Sequence, residues 1–217
     1  MISVTGIIVK AAPVLDYDRR LEILTLERGR VAAFVRGARR PKSKLLGTTE
    51  QFCFGKFQLR PGGDSYQVSE ADITEYFEGL RESLEGAYLG MYFCELAIAL
   101  SRENADNAQL AKLLFVSLLA LERKRLPFRL IRSVFELKAV AVEGHGILLP
   151  ENRKAASFSM GTRRLLDHLS STEMQSLFAF QVSDIVSEEL SEIASYNLWR
   201  VINHPLAGGE VLKELGL

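Results

Sequence analysis

The feature that most constrains this chain is a single change of hydrophobic period near residue 77. Between Ile2 and Tyr76, short runs rich in Val, Ile, Phe, Tyr and Thr are separated by turn residues, the pattern of strands whose side chains alternate between two faces. Beyond Glu78 the apolar positions recur every three or four residues, as in Tyr88, Met91, Tyr92, Leu96 and Ala99, which is helical spacing. A chain that switches once is expected to be α+β, with a β domain over 1–78 and an all-α domain over 79–217.

The β part reads as strands near 3–10, 20–27, 30–36, 49–60 and 65–75, with tight turns at Glu27-Arg28-Gly29 and at Pro61-Gly62-Gly63-Asp64. Five short strands with a long loop between the third and fourth fit a small Greek-key barrel of the OB type, which closes on itself and exposes few edges. An SH3-like barrel is the nearest competitor. In the α part, helices are expected around residues 88–99 and over 109–121, 127–143, 161–169, 172–179 and 182–203. Pro127 suits a helix start, and Gly144 with Gly146 a helix end. His204-Pro205 and Gly208-Gly209 should break the pattern before a short terminal stretch from Glu210. No internal repeat or low-complexity segment is present.

Charge is balanced overall, 27 basic against 27 acidic side chains, so the total points to no polyanionic partner. Its distribution does. Residues 1–60 hold 12 Lys and Arg against 5 Asp and Glu, while the other 157 hold 15 against 22. The surplus peaks in RGARRPKSK, where Arg36, Arg39, Arg40, Lys42 and Lys44 occur with no acid among them. Such a loop is either a solvated connection or a seat for phosphates. On the preceding strand, Val31, Ala33 and Val35 share one face, and Arg30, Phe34 and Arg36 the other. Two guanidinium groups flanking a ring, beside a basic loop, are what sequence-tolerant binding of a single strand requires. Phe34 is open to two assignments, a ring facing solvent or one packed beneath helices. Phe52 and Phe54, with Lys56, face opposite to Phe57, and at least one set should fill the barrel. A second basic cluster, Arg123, Lys124, Arg125, Arg129 and Arg132, is helical and reads either as helix-end charge or as a partner site, carried by Arg125, Arg129 and Arg132.

Other classes find little support. Cys53 and Cys94 are far apart and outside any CxxC pair, so both are assigned to the core rather than to zinc or a disulfide. His145, His168 and His204 are scattered, which suits surface or capping roles. There is no nucleophile with a nearby base, no phosphate-binding glycine loop with Lys and Ser or Thr, and no acidic metal cluster, and the pair Glu188-Glu189 should face water on its helix. Hence no catalytic residue, cofactor or metal is expected. The richest apolar run, LLFVSLLAL, spans nine residues, whereas a membrane helix needs roughly 20. The N-terminus lacks a secretion signal, so no membrane and a cytoplasmic address are expected.

The segment GIIVKAAPVLDYDRRLEILTLERGRVAAFVRGARRPKSKLLGTTEQF closely resembles the N-terminal domain of the RecO family of bacterial recombination mediators and DNA repair proteins. The resemblance runs through Gly6-Ile7, Asp18-Arg19, Leu24-Thr25, Gly29, Arg36-Gly37-Ala38-Arg39, Leu45, Gly47 and Gln51-Phe52. It continues more loosely to Phe135-Glu136-Leu137-Lys138 before Gly144. It implies an OB barrel followed by helices, binding of single- and double-stranded DNA, and annealing of complementary strands. It also implies, as partners in loading RecA at the nucleoid, RecR and the C-terminal tail of single-stranded DNA-binding protein. The family's DNA contacts match Arg36 and Arg39, with Arg40, Lys42 and Lys44 adjoining. Many members carry a four-cysteine zinc module after this Phe-Glu-Leu helix; here no Cys follows residue 94 and PENRKAASFSM is short, so no zinc is expected. The usual Lys-Ser after Pro-Leu is also replaced, in HPLAGG. An adaptor for an acidic peptide tail and an RNA-binding barrel are the alternatives.

Overall fold

A computed structural model describes residues 1–63, 65–103, 105–151 and 157–217. These form two compact units, one comprising Met1–Glu78 with Ser101–Phe115, the other Gly79–Leu100 with Val116–Leu217. Asp64 of the expected turn and most of the ENRKAAS stretch lie outside the described residues.

The first unit is a closed barrel of β1 (Ile2–Val14), β2 (Asp18–Thr25), β3 (Gly29–Val35), β4 (Phe54–Gly62) and β5 (Ser65–Glu75), joined in the order β1-β2-β3-β5-β4. All pairings are antiparallel except β3 with β5, which is the OB arrangement expected from the strand count and the long third loop. β1 closes the ring because it is long enough to pair with β4 from Ile2 to Ile7 and with β2 from Gly6 to Val14. Its register shifts between Ile8 and Lys10, and the carbonyl of Val9 accepts a hydrogen bond from Gln51 Nε2 at 2.9 Å. The interior is filled by Val31, Ala33 and Val35, which the period of two assigned to one face, together with Ile8, Leu21, Ile23 and Phe57. Cys53 joins this core; Phe54 instead packs on Phe115 with ring centroids 4.5 Å apart. The fourth strand starts at Phe54 rather than residue 49, because the Cys53 amide turns back to the Glu50 carbonyl at 3.3 Å and Phe52 has a left-handed φ of 77°.

The second unit is helical: α1 (Leu84–Leu100), the end of α2 (Ala108–Arg123), α3 (Phe128–Val142), α4 (Met160–Ser171), α5 (Asp184–Ile202) and α6 (Ala207–Glu214). α3 is its axis, with every residue from Ser133 to Val140 buried. Phe135 stacks on Phe93 at 4.1 Å between centroids, and the ammonium of Lys138 donates to the carbonyl of Leu169, closing the C-terminus of α4. Cys94 is buried here too. Three expectations fail. Residues 172–179 hold a tight turn at Met174–Ser176 and another closed by the Ala179 amide on the Ser176 carbonyl at 3.0 Å, since Thr172 and Glu173 are extended. α6 forms through Gly208-Gly209 because Glu95 accepts from the amides of Ala207 (3.0 Å) and Gly208 (2.8 Å), and a Cβ on Gly208 would meet that carboxylate at 2.8 Å. The pair Glu188-Glu189 splits: Glu188 is exposed as expected, whereas Glu189 is half-buried and accepts from the Ser159 amide at 3.0 Å and from the Thr162 hydroxyl.

Arg132 is not a surface partner residue. Its side chain is 16% exposed and its Nε donates to Glu136, itself 2% exposed, at 2.7 Å. The guanidinium also donates to the Leu217 carbonyl at 2.7 Å and lies 5.1 Å from the Tyr92 ring centroid, while the Tyr92 hydroxyl donates to Glu136 at 2.6 Å. Removing one member of a buried pair strands the other, at about 3–5 kcal/mol. Arg132→Met should therefore lower unfolding stability in denaturant by about that amount, whereas Arg129→Ala, exposed on the same helix, should stay within about 0.5 kcal/mol. Burial, then the Glu136 charge, hold the Tyr92 phenol well above its usual value of 10.0. The folded chain keeps a proton that the unfolded chain releases, so the stabilisation is complete below pH 10 and is lost as pH rises beyond it. Unfolding midpoints measured across alkaline pH should fall more steeply for the native chain than for Tyr92→Phe.

Candidate nucleic-acid interface

The loop between β3 and β4 is built rather than slack. After Arg36 the chain reverses at Gly37, whose φ of 63° favours glycine, and the Gly37 amide donates to Asp18 Oδ1 at 2.8 Å. The Arg39 amide donates to the Tyr17 carbonyl at 2.9 Å, so two bonds tie the loop's start to the β1–β2 turn. Ala38 between them is fully buried in the barrel core. Short turns follow, Ser43 N–H to Arg40 O at 2.9 Å and Leu46 N–H to Ser43 O at 3.3 Å. Leu45 packs against the barrel core. The far end is held by Arg19, which donates to the Thr49 carbonyl at 2.8 Å and pairs with Glu50 at 2.7 Å.

This anchoring decides where charge is left over. Glu50 is taken by Arg19, and Glu22 by Arg30 at 2.5 Å. Arg36, Arg39, Arg40, Lys42 and Lys44 are all exposed, and among the described residues none has a carboxylate within 4.0 Å. Like charges at such a site are tolerated in water but attract polyanions over a screening length of about 10 Å at 0.1 M salt. Phe34 is 37% exposed, so its ring faces solvent on the same strand face as Arg36. Arg30 has the right parity but leaves the set. Its guanidinium is 16% exposed, bonded to Glu22 and to the Ser101 hydroxyl at 3.0 Å, and 3.7 Å from Glu103. Arg30 is thus an internal strut.

Sequence reasoning missed Tyr17. It is 49% exposed, and the Arg40 guanidinium lies 5.6 Å from its ring centroid, adding a second aromatic surface beside the loop. A lone tyrosine in a turn carries no periodic signal.

The helical cluster divides. Arg125 and Arg129 are exposed and line a groove of about 410 Å³ with Leu126, Pro127, Leu130 and Val182, although Asp184 and Glu188 line it too. Arg132 turns inward onto Glu136. Among the described residues, no three His, Cys, Asp or Glu side chains converge on a possible metal position. His168 is the histidine that is drawn in, with Nδ1 3.0 Å from the Thr172 hydroxyl, whereas His145 and His204 are exposed. No described helix is long and apolar enough to cross a membrane.

Comparison with known proteins matches two family models in tandem, Recombination protein O N terminal over residues 1–77 and Recombination protein O C terminal over residues 81–150. Relatives with the name DNA repair protein RecO include one from Acetivibrio thermocellus, 27% identical over 89% of this chain and 88% of its own length. Another, from Clostridium perfringens strain 13, is 24% identical over 98% of both. A third, from Symbiobacterium thermophilum, is 36% identical over 65% of this chain and 56% of its own. With a closed five-stranded barrel, a following helical unit and both family models in order, the chain belongs to the RecO family of DNA repair proteins.

Proposed function

We propose that this protein binds single- and double-stranded DNA non-covalently through the basic loop, anneals complementary strands, and cooperates with RecR to load RecA on strands covered by single-stranded DNA-binding protein at the nucleoid. The observation that carries this is the fixed loop, whose Gly37 and Arg39 amides are bonded to the barrel and whose Ala38 is buried in it, while Arg36, Arg39, Arg40, Lys42 and Lys44 stay exposed and, among the described residues, unpaired by acids. Two strands repel through their phosphates. A cationic surface that engages both lowers that repulsion and raises their local concentration, so annealing needs no covalent step. Cations already in place release counterions on binding without the entropic cost of first ordering a loop.

Replacing Arg39, Arg40, Lys42 and Lys44 together by Gln should weaken single-strand binding and flatten the dependence of log affinity on log salt by up to about 3, at roughly 0.7 for each phosphate no longer neutralised. An unchanged slope refutes the loop's role. Annealing of complementary oligonucleotides, with and without single-stranded DNA-binding protein, should slow in the same variant.

The groove at Arg125 and Arg129 favours a second role, docking of the acidic, apolar-ended tail of single-stranded DNA-binding protein, with the arginines meeting carboxylates beside Leu126 and Leu130. Titration of that peptide should be weakened about tenfold or more by Arg125→Glu with Arg129→Glu, by charge reversal, with DNA affinity retained. Equal peptide binding by both proteins excludes the groove.

A further inference from the structure

Strand register places a line of side chains across the outside of the barrel that no single strand reveals. Arg20 of β2 is paired with Phe34 of β3, Phe34 with Gln67 of β5, and Gln67 with Arg60 of β4. Directly paired residues project from the same face of a sheet. Leu21, Ala33, Val68 and Leu59, each adjacent in sequence to one of the four, are buried in the barrel core, so the line itself faces outward. Arg20, Phe34 and Arg60 are exposed and Gln67 is half-buried. Three inter-strand steps separate the arginines, about 14 Å along the sheet. The line contains no acid, and among the described residues neither arginine has a carboxylate within 4.0 Å. The outward acids of β2 nearest to Arg20, Asp18 and Glu22, are already held, Asp18 by the Gly37 amide at 2.8 Å and Glu22 by Arg30.

We infer that Arg20, Phe34, Gln67 and Arg60 form a seat for one unpaired base of single-stranded DNA, stacked on Phe34, with its flanking phosphates on the two arginines and its polar edge at Gln67. A single exposed ring with cations on both sides fits a base that has left its stack, and it fits poorly to a duplex, whose base faces are covered by their neighbours. Stacking is tolerant of base identity because every base has a π-face, so the seat selects strandedness rather than sequence. The loop cations grip phosphate on either kind of DNA; this row adds preference for an open strand. The inference rests on the proposal that the barrel binds DNA.

The test compares an oligothymidylate with an abasic strand of equal length and charge, using the full chain. The native protein should bind the oligothymidylate more tightly, by roughly fivefold or more for one stacked base. Phe34→Ala should abolish that difference while leaving abasic affinity and the salt slope unchanged, and Phe34→Trp should restore it. Arg60→Gln and Arg20→Gln should each reduce the salt slope by about 1 at most. If Phe34→Ala still separates the two strands as the native protein does, the seat is wrong even though loop binding persists. If neither strand binds the native protein, the DNA-binding proposal itself has failed. Tighter binding of a matched oligouridylate than of the oligothymidylate overturns DNA as the occupant.

Discussion

Five cations within nine residues repel one another, and left to itself such a loop would spread into solvent. What prevents this is the plug at its base. Ala38 sits inside the barrel, the amides on either side of it are bonded to Asp18 and Tyr17, and Arg19 fastens the far end through Thr49 and Glu50. The electrostatic cost of crowding is thereby offset by barrel packing. The Arg40–Tyr17 contact depends on that fixed geometry, while the pleat of β3 aims Phe34 outward beside it.

The helical unit solves the opposite problem. Its Phe-Glu-Leu-Lys segment is wholly internal, with Phe135 stacked on Phe93, Glu136 shared by Arg132 and Tyr92, and Lys138 closing α4. Four consecutive residues that carry the family resemblance are thus explained by packing and by satisfied buried charge rather than by ligand contact. Basic residues in one chain therefore serve two ends: those bonded to carboxylates hold the fold, and those left in water are available to a polyanion.

Much of this was legible in the sequence, because the period of two sorted β3 correctly. Val31, Ala33 and Val35 are inside, and Phe34 and Arg36 are outside. Charge counting also located the loop. What escaped were partnerships formed across sequence distance. Arg30 is bonded to Ser101, 71 residues on, and nothing local distinguishes it from Arg36. The outward row through Gln67 and Arg60 exists only once β3 and β5 are paired in parallel. Gly208-Gly209 read as a break because Glu95, which supplies the missing cap, is 113 residues away. By contrast Arg132 and Glu136 stand at helical i, i+4 spacing, a signal that was present and could have removed Arg132 from the surface set.

In the proposed complex the loop's ammonium and guanidinium groups, carried on a backbone fixed in advance, touch the phosphates directly. Acylation of lysines followed by mass spectrometry, with and without single-stranded DNA at low salt, reads this residue by residue. DNA should slow modification of Lys42 and Lys44 while leaving Lys112 and Lys213, which are also exposed, unaffected. Modification of Lys42 and Lys44 at the DNA-free rate under saturating DNA would contradict the account.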